Sequence, residues 1–97
     1  MSSFTERMPV WRVKCRTIEP GLISSERFAR IEDADGGLEV VGVCDRLIEG
    51  DRLEVGWIGA LGDRILIELP VESTSGSWRM WVKRTLLESS LHDSHGS

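Results

Sequence analysis

Period-two alternation is the feature that most constrains this chain. From Pro9 to Ile18, Trp11, Val13, Cys15 and Thr17 fall on one side, and Arg12, Lys14 and Arg16 on the other. Side chains two positions apart share a face of an extended strand, so this pattern specifies a half-buried β-strand. It recurs from Asp51 to Ile58, with Leu53, Val55 and Trp57 inward, and from Arg64 to Leu69, with Ile65, Ile67 and Leu69 inward. It recurs again from Trp78 to Lys83, where Trp78, Met80 and Val82 oppose Arg79, Trp81 and Lys83. No long helix is read anywhere.

Turn residues punctuate these runs. Glu19-Pro20-Gly21 ends the first, because Pro-Gly presets a tight turn. Leu22 and Ile23 are expected to tuck back into the core. A strand over Glu26 to Glu32 leads into Asp33-Ala34-Asp35-Gly36-Gly37, read as a hairpin turn whose glycines supply positive φ. Leu38 to Cys44 is apolar on both faces and reads as a central strand. Asp45 to Gly50 reads as a connector with one short helical turn carrying Leu47 and Ile48 inward. Gly59 to Asp63 turns the chain, Pro70 stops the strand before it, and Ser73 to Ser77 is a loop. Thr85-Leu86-Leu87-Glu88 has capping-box spacing and predicts a closing helical turn. No internal repeat and no low-complexity tract is apparent.

Six short strands with brief glycine-bearing connections predict an all-β fold, a small antiparallel meander of five to six strands. Closing that sheet into a barrel would bury the inward residues and shield both edges. A length of 97 residues allows one domain. Residues 1–8 read as a flexible N-terminus, 9–88 as the domain, and 89–97 as a flexible tail. The segment Trp78-Arg79-Met80-Trp81-Val82-Lys83-Arg84-Thr85-Leu86 resembles the last strand of Src-homology-3-like barrels. That resemblance implies a small barrel. Peptide-binding members of that family carry a tyrosine-rich groove, and this chain has no tyrosine, so proline-peptide recognition does not carry over.

Several function classes have no foothold. No apolar run reaches the ~20 residues of a membrane helix, and Met1 to Met8 lacks the apolar core of a secretory signal. Cys15 and Cys44 form neither a disulfide framework nor a Cys-x-x-Cys motif. Both are expected as core thiols in a reducing, cytoplasmic setting. His92 and His95, the only histidines, lie in the expected tail, away from any partner a nucleophile would need. The carboxylates alternate outward or sit in turns. No catalytic residue, metal site or cofactor is expected, and Asp33 to Gly37 lacks the remaining ligands of a calcium loop.

Charge segregation is the most informative functional feature. The net charge is -4, yet residues 19–63 hold eleven acids against four bases, whereas 9–18 and 78–84 hold bases and no acid. If the first and last strands are neighbours, Arg12, Lys14, Arg16, Arg79 and Lys83 merge into a basic strip around an outward Trp81. The expectation is therefore a non-enzymatic interaction module using that strip, with a protein partner or a second copy. The alternative is a nucleic-acid-binding barrel using the same strip, where the indole would stack on a base. A third class is a ligand-binding or enzymatic barrel with a pocket lined by Cys44 and Trp57.

Overall fold

A computed structural model describes residues 9–90. It contains nine strands: β1 Trp11–Lys14, β2 Thr17–Pro20, β3 Glu26–Glu32, β4 Leu38–Cys44, β5 Ile48–Glu49, β6 Arg52–Leu61, β7 Arg64–Glu68, β8 Arg79–Lys83 and β9 Leu87–Ser89. Single 3-10 turns at Asp45–Leu47 and Arg84–Leu86 precede β5 and β9. The chain is mostly strand, and every pairing is antiparallel.

The strands form two sheets. One runs β8-β7-β6-β1-β9, with β5 also paired to β6, and the other runs β2-β3-β4. Neither sheet closes on itself into a barrel. The expected Pro9–Ile18 strand is divided at Cys15 and Arg16 because the chain changes partners there. Cys15 N–H donates to Asp51 O in the larger sheet, and Arg16 N–H donates to Arg30 O in the smaller one, at 2.8 and 2.7 Å. Single backbone bonds also join the sheets at their edges, Ala34 N–H to Trp81 O and Thr74 N–H to Val40 O, each 2.8 Å.

The inner faces meet in one apolar core. Val13, Leu53, Ile65, Ile67 and Val82 come from the larger sheet, and Ala29, Ile31, Val41 and Val43 from the smaller. The alternation read from sequence places these residues correctly. Leu22 and Ile23 are different: both lie exposed on the turn between β2 and β3, because Gly21 N–H bonds Glu26 O and draws that hairpin too tight to fold back. Cys44 is also exposed rather than core. It follows the buried Val43 on β4 and so projects from the opposite face. Of the segments expected to be loose, 1–8 and 91–97 lie outside the described residues. Ser89 and Ser90 are paired: Ser89 lies across from Trp11 in the β1–β9 ladder. Ser90 N–H donates to Val10 O at 2.8 Å, and Val10 N–H to Ser90 Oγ at 3.0 Å.

The strand pattern contains a two-fold repeat that the sequence does not display. β1 and β6 pair with each other around the buried Val13↔Leu53 pair. β5, which ends the first half, pairs with β6, and β9, which ends the second half, pairs with β1. The β3–β4 hairpin corresponds to β7–β8. Fine detail repeats too. Arg12–Glu49 at 3.1 Å is matched by Arg52–Glu88 at 3.0 Å. Asp45 N–H bonds Ser25 O and Arg84 N–H bonds Asp63 O, both at 2.8 Å. Each hairpin turn is held by an oxygen three residues before its positive-φ glycine: Asp33 Oδ1 accepts from Gly37 N–H and Ser73 Oγ from Ser77 N–H, both at 3.0 Å. Those glycines, Gly36 and Gly76, have φ of 98° and 92°.

Because each half lends its last strand to the other, neither half has a complete sheet alone. Leu53→Ala, which empties a fully buried site on the central pair, is expected to cost about 3 kcal/mol. Urea unfolding followed by tryptophan emission and by far-ultraviolet circular dichroism should give one coincident transition, shifted to lower urea in the variant. Two separate transitions would mean that the halves fold independently.

Candidate functional site

The strand order separates the residues expected to form the basic strip. β6 and β7 lie between β1, which carries Arg12 and Lys14, and β8, which carries Arg79, Trp81 and Lys83. The strands that meet β1 are β6 and, after the second 3-10 turn, β9. Opposite charges also intervene. Arg12 lies across from Glu54 and Glu88 and is ion-paired to Glu49, while Arg79 lies across from Glu68. Arg16, in the crossover between sheets, pairs with Glu32 at 3.4 Å. Trp81 faces outward on β8 as read, at 36 % exposure, across from Leu66. One continuous cationic surface around it is therefore not formed.

The exposed aromatic surface lies elsewhere. Trp57 and Trp78, both read as core, are 44 % and 52 % exposed. β6 is bulged between Trp57 and Gly59, and a bulge bends its strand and re-aims the neighbouring side chains. Trp57 stacks on Trp11, with centroids 6.3 Å apart and planes at 30°. Trp78 sits where the β7–β8 ladder ends; its carbonyl accepts Leu69 N–H at 2.8 Å.

These indoles wall two adjoining grooves. The larger, about 460 Å³, is lined by Leu47, Glu54, Val55, Gly56, Glu68, Leu69, Pro70 and Trp78. The second, about 300 Å³, is lined by Pro9, Val10, Trp11, Glu54, Val55, Gly56 and Trp57. They share Glu54, Val55 and Gly56, so the two grooves adjoin along β6, Trp78 walling one on the β7 side and Trp11 and Trp57 the other on the β1 side. Among the described residues neither Glu54 nor Glu68 has an ion pair. Cys44 lines neither groove, so the pocket expected between Cys44 and Trp57 is not present there.

A third depression has a different character. Arg12, Glu49, Gly50, Asp51, Arg52 and Glu88 surround a polar hollow of about 280 Å³ where the two halves meet. Its arginines are held by the paired carboxylates, with Arg52 also 4.0 Å from Asp51. That leaves no spare cation there for an anionic ligand.

Sequence reading placed Trp57 only in a pocket with Cys44 and did not single out Trp78, Glu54, Glu68 or Gly56 as groove-lining residues. Gly56 was the available signal, since a glycine inside a strand marks a place where something else comes close to the backbone. Asp33 is committed to its turn: its Oδ1 accepts from Asp35 and Gly37 N–H at 2.8 and 3.0 Å. No cluster of three metal-binding side chains occurs among the described residues. His92 and His95 lie outside them. No described helix is long and apolar enough to cross a membrane.

Compared with known proteins, the chain matches no family model, no curated protein and no solved structure.

The two thiols differ sharply. Burial pushes Cys15 up from its ordinary 9.0 to about 11; the negative charge of Asp51 adds to this, and the Leu53 backbone opposes it. Its Sγ donates weakly to Val13 O at 3.7 Å. A disulfide-exchange reagent at pH 8 should therefore label one thiol in the folded chain and two in denaturant, and Cys44→Ser should abolish the native reaction. Between pH 9.0 and about 11 the unfolded chain gives up the Cys15 proton while the folded chain keeps it. Stability should fall across that window by up to about 1.4 kcal/mol per pH unit. Urea titrations of the wild type and Cys15→Ala at pH 8 and pH 10 check the slope, which the variant should lose.

Proposed function

We propose that this chain is a non-enzymatic binding module whose contact surface is the tryptophan-walled depression around Gly56. The observation that carries this reading is the exposure of Trp57 and Trp78, each walling one of two grooves that adjoin along β6. Exposed indoles cost free energy unless something covers them part of the time, and tryptophan dominates the energetics of protein contacts. A reducing, cytoplasmic setting accords with two cysteines that remain free.

The reading departs from the basic strip in its surface and keeps the class of function. Catalysis gains no support from the same geometry. The buried thiol of Cys15 is held in its neutral form, and a thiolate is what would react.

A random peptide library displayed on phage and selected on the immobilised chain tests the module. Selected peptides should bind the wild type and lose about tenfold or more in affinity for the Trp57→Ala/Trp78→Ala double variant. Both indoles are partly solvated, so the variant should unfold at nearly the same urea concentration. Selection of no peptide, or binding indifferent to both indoles, would overturn the proposal.

A further inference from the structure

The two hairpins hold equivalent places in the fold, yet their outer faces differ. On β7 and β8 the inner face is taken by Ile65, Ile67, Met80 and Val82, all buried, so the residues between them project to solvent. One cross-strand row on that outer face is Trp81, Leu66 and Gly59. The row on one side of it holds Lys83 and Arg64, and the row on the other side Arg79 and Glu68. Arg84 follows at the Lys83 end, where its guanidinium donates to Gly62 O at 3.0 Å. The cations of β1 stand two strands away from β8. The group around Trp81 is a smaller and different one.

The first half shows what this face looks like when it is closed. Counting back from the matched 3-10 turns, Cys44 stands in the place of Lys83, Gly42 of Trp81 and Val40 of Arg79. On the partner strands Glu26 stands in the place of Arg64, Phe28 of Leu66 and Arg30 of Glu68. The ladders to β2 and β6 match Glu19 with Gly59. A Cβ on Gly42 would come within 3.0 Å of the Phe28 ring, and one on Gly21 within 2.6 Å of the Glu26 side chain, so both glycines lie under a neighbour. Arg30, the cation on that face, is 3.5 Å from Glu19.

The second-half face is open. A Cβ on Gly59 would meet nothing within 4 Å. Among the described residues Arg79, Lys83 and Arg84 have no ion pair, and no ring stacks on Trp81. The acids beside this face are Glu68, across from Arg79, and Asp35, which holds Arg64 at 3.0 Å. Relative to the first half, the exchange removes Glu19, Glu26 and Asp45 and brings in Gly59, Arg64 and Arg84.

From this contrast we infer that the outer face of β6, β7 and β8 binds single-stranded nucleic acid, with a base stacked on Trp81 and neighbouring phosphates on Arg79, Lys83 and Arg84. A single strand presents flat bases and negative charges in alternation. β8 presents cation, indole and cation at every second residue, about 7 Å apart on one face. Bases stack on exposed aromatics whatever their sequence, and cations track the backbone. Leu66 and Gly59 leave a low floor beside the indole. Trp81, Leu66 and Gly59 line neither of the tryptophan-walled grooves, so this inference stands or falls apart from the binding-module reading.

The experiment measures fluorescence anisotropy of a labelled oligothymidylate of about eight nucleotides on the full chain, with an abasic strand of equal length as control. Affinity for the oligothymidylate should fall with salt at a log–log slope of about -2, as for three engaged cations. The abasic strand should bind roughly tenfold more weakly. Trp81→Ala should weaken the oligothymidylate by a similar factor and remove its preference over the abasic strand. Arg79→Ser/Lys83→Ser should reduce the slope to about -0.7, and Trp57→Ala/Trp78→Ala should bind as the wild type does. Urea midpoints report whether each variant is folded; should Trp81→Ala misfold, the abasic control and the exposed Arg79/Lys83 pair decide. No binding at low salt, equal binding of the two strands, or binding lost with Trp57 and Trp78 but kept without Trp81 would overturn the inference. Peptides selected on the grooves would be untouched by any of these results.

Discussion

The structure depends on one antiparallel pairing. β1 and β6 meet at Val13 and Leu53, both fully buried, and every other element hangs from that ladder. It brings the start of each half against the start of the other, which then lets β5 and β9 cross over and dock on the opposite half. The Arg12–Glu49 and Arg52–Glu88 pairs clamp those two short strands in equivalent positions. Strands of two or three residues hold little by themselves. They persist because each lies beside a strand already fixed in the central ladder and follows a 3-10 turn whose first N–H is bonded.

Under the binding-module reading, function lives where the two halves stop agreeing. The backbone repeats closely, down to cap dihedrals of -67° and 138° at Cys44 against -71° and 140° at Lys83. Side chains at the paired grooves diverge almost completely. One groove is lined by Lys14 and by Arg16 paired to Glu32, and the other by Leu47, Pro70, Trp78 and two glutamates. Packing constrains the buried positions on both sides alike, whereas solvent-facing positions are free to differ.

Much of the fold was legible because alternation reports burial directly. β3 and β4 run Glu26–Glu32 and Leu38–Cys44, the bounds read from sequence, but β4, expected to be central, is an edge strand and β3 is the middle one. The 3-10 turn after β4 also falls inside the connector read there. The repeat was hidden because its halves share few identities: Arg12 with Arg52, Gly36 with Gly76, Val43 with Val82, Leu47 with Leu86, Glu49 with Glu88. What repeats is pairing geometry, which many sequences satisfy. The site was missed for a related reason. Alternation says which face a tryptophan takes, but whether another layer covers that face depends on tertiary geometry. Trp57 and Trp78 obey the pattern and still meet solvent. The basic strip hinged on strand order, and the cations it needed sit with two strands between them.

The two hydrogen bonds between Val10 and Ser90 set the two ends of the described region side by side. A unit with adjoining ends can be spliced into a surface loop of a larger host without prying that loop open. It can also be cut elsewhere and rejoined there. The same latch means that tension applied to both ends would load the β1–β9 ladder across its rungs first, opening the molecule like a zip rather than shearing it.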